Sequence, residues 1–167
     1  MCGVVGIIST HKPVAGELYD SLIHLQHRGQ DAAGIMTLNQ RFHVKKGTGL
    51  IRDIFDEKNM ARLQGNIGIG HTRYPTVGGF SIEEAQPVMT HVPYGIAMAH
   101  NGNLVNYSEL VHEVSEQDHR HINSSVDIEV ILHIFAHALD HPDSNMDGLP
   151  FFDQICTAVE TVFDRVI

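Results

Sequence analysis

Stretches with strand character crowd the first part of this chain, and hairpin-like links join most of them. The apolar run Gly3-Val4-Val5-Gly6-Ile7-Ile8 has the length of a buried strand. Residues 33–38 and 41–46 flank Asn39-Gln40 and predict a hairpin. Residues 66–73 predict a further strand, and residues 88–92 and 95–100 two more around Pro93-Tyr94. Parallel strands need crossovers of a dozen or more residues, usually helical, whereas hairpin links give antiparallel pairs. With its strands early and its helices late, the chain predicts an antiparallel, layered α+β architecture rather than a Rossmann fold.

The helical periodicities are equally specific. Pro13 suits a first helical turn, where its missing N–H is not needed, and Val14, Leu18, Leu22 and Leu25 then share one face, with Gly29 beyond the end. Residues 50–63 predict short helical turns. Asn106 with Glu109 three residues later resembles a capping box. Ser124 is the expected cap of a helix whose buried stripe is Ile128, Ile131, Leu132, Phe135 and Leu139. After a polar loop at 141–150, the last helix is expected to turn Phe152, Ile155, Val159, Val162 and Phe163 to the core. The 167 residues suit a single domain, 1–167, with a core of its own.

Charge narrows the partners. A formal net charge of −9 disfavours nucleic acid and anionic membranes, because both are polyanions, and the doublet Lys45-Lys46 is no basic patch. No run approaches the roughly 18 apolar residues of a membrane helix, and the apolar run after Cys2 lacks the flanks of a secretory signal. Two cysteines, Cys2 and Cys156, make no disulfide framework, so a reducing cytoplasm is the expected setting.

Four constellations hold possible chemistry. Cys2 is either a small buried residue opening a strand or a nucleophile: removal of Met1 would leave its α-amine free, a base with a reference pKa near ~7.7–8.0 built into the same residue. Arg73, in HTRYPTVGG, is a surface charge or a planar fork for a carboxylate. Asn101-Gly102, in AHNGNLVNY, is a turn or a pair of donors for an oxyanion. Asp127, in NSSVDIEV, stabilises a helix start or holds an ammonium group. His133, His137 and His141 fall four apart on one helical face, but no carboxylate or cysteine completes a known metal spacing. Cys156, on the apolar stripe of the last helix, is expected in the core.

Taken together, MCGVVGI, LQHRGQDAAG, GIGHTRYPTVG, AQPV, AHNGNL and SVDIEV resemble the glutaminase domain of class II glutamine amidotransferases, which are N-terminal-nucleophile hydrolases. The resemblance runs in order to about Val130 and is looser beyond residue 140. It implies an αββα sandwich of antiparallel sheets, incomplete in this chain. It also implies that Cys2 attacks the side-chain amide of glutamine, that Asn101 and Gly102 stabilise the oxyanion, and that Arg73 and Asp127 hold the α-carboxylate and α-ammonium. His71 and Tyr74 join the substrate-binding set, and residues 74–80 form a loop that closes over glutamine. LQHRGQD and RYPT resemble the members whose second domain transfers a phosphoribosyl group from phosphoribosyl pyrophosphate, with Mg2+, at the start of purine synthesis; glucosamine-6-phosphate synthase is the nearest alternative. That second domain is not in these 167 residues, where no cofactor is expected; the resemblance further implies a homo-oligomer and weak or no activity of this stretch alone.

Overall fold

A computed structural model describes residues 1–74, 81–141 and 148–166. The elements run β1 (Gly3–Ile8), α1 (Ala15–Leu25), a 3-10 turn (Gln26–Arg28), β2 (Ala32–Leu38), β3 (Phe42–Thr48), α2 (Ile51–Ile54), α3 (Glu57–Met60), β4 (Ile67–Arg73), β5 (Val88–Thr90), β6 (Ile96–Met98), α4 (Tyr107–Glu116), α5 (Asp127–Asp140) and α6 (Phe151–Arg165). The first four strands form one sheet in the order β1-β4-β2-β3, antiparallel at every step, and β5 pairs with β6. The class is α+β with antiparallel pairing; the short link explains β2 with β3, whereas β4 comes from far along the chain to lie between β1 and β2. The chain forms two compact units: Met1–Val88 with Met98–Asn101, and Met89–Ala97 with Gly102–Ile167.

In the first unit, the heptad-like stripe of α1 does what its spacing predicts. Val14, Leu18 and Leu22 have no exposed surface and join Ala33, Ile35, Ile51, Ile54, Phe55 and Leu63 in one core. Each fully buried aliphatic side chain of this size contributes roughly 1.5–3 kcal/mol. Leu25 is only half-buried, because the chain tightens there into the 3-10 turn. The helix starts at Ala15, two residues after Pro13, with Val14 as a cap that makes no side-chain hydrogen bond. β2 is buried along nearly its whole length, in keeping with its unbroken apolar run Ala32-Ala33-Gly34-Ile35-Met36.

The second unit departs from the expected caps. Asn106 precedes α4, but its side chain donates to the Arg165 carbonyl at 2.8 Å instead of closing a capping box. Val126 is the cap residue of α5; Ser124 lies two residues upstream and donates to Glu129 through both its backbone and its hydroxyl. α5 is buried around most of its circumference, and Val130 and Ile134 pack with Leu104, Leu110 and Val114.

α6 corrects the sequence reading most. Ala158 is its buried residue, Val162 packs partly against the cluster, and Phe152 and Phe163 remain 73% and 74% exposed. Cys156, expected in the core, is exposed too. At about 100° per residue, the line 155-158-162 faces the contact, while 152, 156, 159 and 163 lie about a third of a turn away. The apolar arc is wider than the surface that covers it.

Candidate active site

The site begins at one end of the four-stranded sheet. Gly3 stands opposite Thr72 and Ala32 opposite Arg73, so Cys2, just before β1, and Arg73, the last residue of β4, finish at the same end. The backbone there is held from the side by Gly29, on which a Cβ would lie only 2.6 Å from the Arg73 carbonyl carbon. Glycine is what lets the turn after α1 rest against β4, and the Asp31 N–H closes the contact by donating to the Arg73 carbonyl at 3.2 Å.

Cys2 is half-buried, and its Sγ lies 3.9 Å from the Tyr74 carbonyl oxygen. Its own carbonyl accepts from Arg28 Nε and from Asn101 Nδ2, both at 2.9 Å. Two side chains, 26 and 99 residues away, thus fix the backbone of the candidate nucleophile. An amide NH2 has two donors, so the Asn101 bond to Cys2 leaves one for another acceptor. Arg28 is absent from the residues the sequence singles out, although it lies in LQHRGQDAAG. Its partner is a backbone carbonyl, and a backbone acceptor leaves no signature in a sequence.

Residues 84–88 run over the same end as a buried strap. Glu84 Oε2 meets Arg73 Nη2 at 3.0 Å, with side chains only 8% and 10% exposed. Lys46 Nζ donates to the Ala85 carbonyl, and the His100 N–H donates to Gln86 Oε1 at 2.8 Å. The Gln86 carbonyl lies 2.1 Å from where a Cβ on Gly34 would stand, so this strand tolerates no side chain there. Neither Glu84 nor Gln86 is flagged by composition or spacing; their pairing is visible only once β4 and the strap are folded together.

His71 has no exposed surface, and neither ring nitrogen reaches a partner at full hydrogen-bond geometry among the described residues. Burial pushes its pKa down to about 4; the nearby His100 backbone partly opposes this, and the His100 and Arg73 charges add to it. It is a neutral imidazole at neutral pH, shut off from solvent. Tyr74 is 53% exposed. Residues 75–80, the rest of the expected closing loop, lie outside the described residues.

Gly102 and Asp127 belong to the second unit. Gly102 follows Asn101 directly and is exposed. Asp127 starts α5 and accepts from the Ile128 N–H at 2.9 Å and the Leu104 N–H at 3.1 Å, which ties the stretch after Asn101-Gly102 to the helix start. The histidine row is held by carboxylates and by itself: His133 lies 3.9 Å from Glu129, His137 3.5 Å from Asp118, and the His137 and His141 rings stack. Among the described residues, no group of three or more His, Cys, Asp or Glu is placed to hold a metal ion, and no helix is long and apolar enough to cross a membrane. A shallow cleft of about 320 Å³ lies at the opposite end of β1 and β4, lined by Thr10, His11, Lys12, Pro13, Gly65 and Asn66.

Comparison with known proteins bears on this geometry. Residues 55–152 match the family model of a glutamine amidotransferase domain. The chain is 52% identical over 143 residues to the amidophosphoribosyltransferase of Pasteurella multocida, covering 84% of this chain and 28% of that protein. It is 48% identical to the amidophosphoribosyltransferase of Pseudomonas aeruginosa, covering 100% of this chain and 33% of the other. Among solved structures, it superposes with a TM-score of 0.75 and 31% identity on the glutamine phosphoribosylpyrophosphate amidotransferase of B. subtilis complexed with ADP and GMP, covering 96% of this chain and 32% of that one. A structure described as the allosteric regulatory enzyme of purine biosynthesis gives a TM-score of 0.77, also at 31% identity, over 96% of this chain and 33% of its own. The chain spans about a third of the length of these relatives.

Proposed function

Because the chain belongs to the family of glutamine amidotransferase domains, we propose that it hydrolyses glutamine to glutamate and ammonia through a thioester on Cys2. The observation that carries this reading is the pinned backbone of Cys2, whose carbonyl is held between Arg28 and Asn101 at the sheet end where Arg73 also lies. Once Met1 is removed, the Cys2 α-amine takes the thiol proton and Sγ attacks the side-chain amide carbon. The developing oxyanion is met by the second Asn101 amide hydrogen and the Gly102 N–H. The amine returns its proton to the leaving nitrogen, ammonia departs, and water cleaves the thioester to glutamate. Arg73 takes the α-carboxylate and Asp127 the α-ammonium, leaving the neutral amide for the thiol.

In the longer protein, the ammonia would aminate phosphoribosyl pyrophosphate in the first step of purine synthesis, in a cytoplasmic homo-oligomer. The names of the relatives favour this acceptor over glucosamine 6-phosphate. Mg2+ would serve the phosphoribosyl-transferring part.

A glutamine-analogue affinity label, read by intact mass, tests the nucleophile. The expected product lacks Met1 and carries one label, which is lost in Cys2→Ala. Cys156 is exposed, so the measurement is repeated in Cys156→Ser. Labelling that follows Cys156, or activity in chains that retain Met1, rejects the mechanism.

A further inference from the structure

Arg73 is assigned to a substrate carboxylate, yet in this structure it already holds one. Its Nη2 stands 3.0 Å from Glu84 Oε2, and neither side chain is more than 10% exposed. A second carboxylate on that guanidinium would bring two anions together in a poorly solvated place, where burying like charge is expensive. Exchange avoids this. Glu84 is suited to it: it is the first buried residue after the exposed Ser81, Ile82 and Glu83, held by a turn in which its N–H donates to Ser81 and that of Ala85 to Ile82. Opening one such turn releases the side chain without disturbing β4, and Lys46, which donates to the Ala85 carbonyl, supplies positive charge one residue along.

We propose that Glu84 sets the affinity of the site for a substrate carboxylate by competing with it for the Arg73 guanidinium, so that ligand entry exchanges an internal carboxylate for an external one. The proposal rests on the reading of Arg73 as the carboxylate-binding residue. A ligand whose receptive state is only partly populated binds more weakly by that fraction; lowering the hold of Glu84 therefore tightens binding. Selectivity follows as well: a neutral amide ligand does not displace Glu84, whereas an α-carboxylate does.

Calorimetric titration of glutamine into the chain carrying Cys2→Ala, which blocks turnover, tests this. Adding Glu84→Gln, which keeps an acceptor on Arg73 but removes the charge, is expected to lower Kd at least about threefold, and adding Arg73→Gln to raise it at least about tenfold. Unchanged or weaker binding in Glu84→Gln, with the Arg73 effect present, overturns the proposal and leaves the site reading standing. Unchanged binding in Arg73→Gln overturns both. Hydrogen exchange on the Cys2→Ala chain does not depend on how the Glu84 variant folds: saturating glutamine should speed exchange at the Glu84 and Ala85 amides, and equal or greater protection there overturns the exchange.

Discussion

The two units hold their most buried carboxylates differently: Glu84 of the first meets the Arg73 side chain from another element, and Glu129 of the second is held by its own neighbours. In the first, the contacts around the sheet end reach across elements: Arg28 and Asn101 to the Cys2 carbonyl, Lys46 to Ala85, and the buried pair of Arg73 with Glu84. In the second, the most heavily bonded buried group is Glu129, and its partners are the backbone and side chains of Asn123 and Ser124, five and six residues away. Local bonds of that kind shape a loop before a helix and do little else. Long-range ones fix distant backbones in one place, as a reacting constellation needs.

Stability measurements can break the contrast. Arg73→Met strips the cation from a carboxylate with an 8% exposed side chain, and a loss of about 3–5 kcal/mol is expected in urea unfolding. Glu129→Gln keeps one acceptor oxygen for the same donors and should cost about 1–3 kcal/mol. Hydrogen exchange should place the first loss in 84–88 and the second in 123–126. Equal losses, or loss at 123–126 in both variants, would remove the distinction between the two kinds of burial.

Acid sharpens it. The His71 pKa falls from 6.5 to about 4 on folding, so between those values the unfolded chain binds a proton that the folded chain refuses. Stability is full above pH 6.5, declines as pH falls towards 4, and levels off below, by about 3 kcal/mol in all. His133 and His137 of the second unit are lowered in the same direction by burial, opposed by Glu129 and Asp118 respectively. Glu129 acts later: burial raises its pKa, but the hydrogen bonds from Ser124 and Asn123 outweigh this and hold it below 4.5, so its contribution is lost only as pH falls through that lower value. His71→Leu, which replaces two poorly partnered nitrogens, should flatten most of the slope between pH 6.5 and 4. A slope unchanged in that variant would move the acid sensitivity to the second unit.

How much of this was legible in the sequence follows the same division. The face of α1, the hairpin of β2 and β3, and β4 were readable because apolar periodicity reports burial directly. Cys2, Arg73 and Asn101 stood out as residue types, and the fold brings all three into the first unit. Arg28 and Glu84 did not, since one serves a backbone carbonyl and the other a cation paired only by tertiary folding. The capping box was not formed either: Asn106 had the right spacing from Glu109, but its side chain makes no cap hydrogen bond and its amide nitrogen donates to a carbonyl 59 residues away.

The smallest expected effect lies on α6, where the sequence reading placed Phe163 in the core. Phe163 is 74% exposed, whereas Ala158 on the adjoining face has no exposed surface. If the contact line is 155-158-162, Phe163→Glu should shift unfolding by less than about 0.5 kcal/mol, as surface changes usually do. Ala158→Leu, which forces three further carbons into a filled contact, should cost about 1–3 kcal/mol. Paired urea titrations decide between the two faces. A large loss for Phe163→Glu with tolerance at Ala158→Leu would return the aromatic stripe to the core and make the second unit as fully packed as the first.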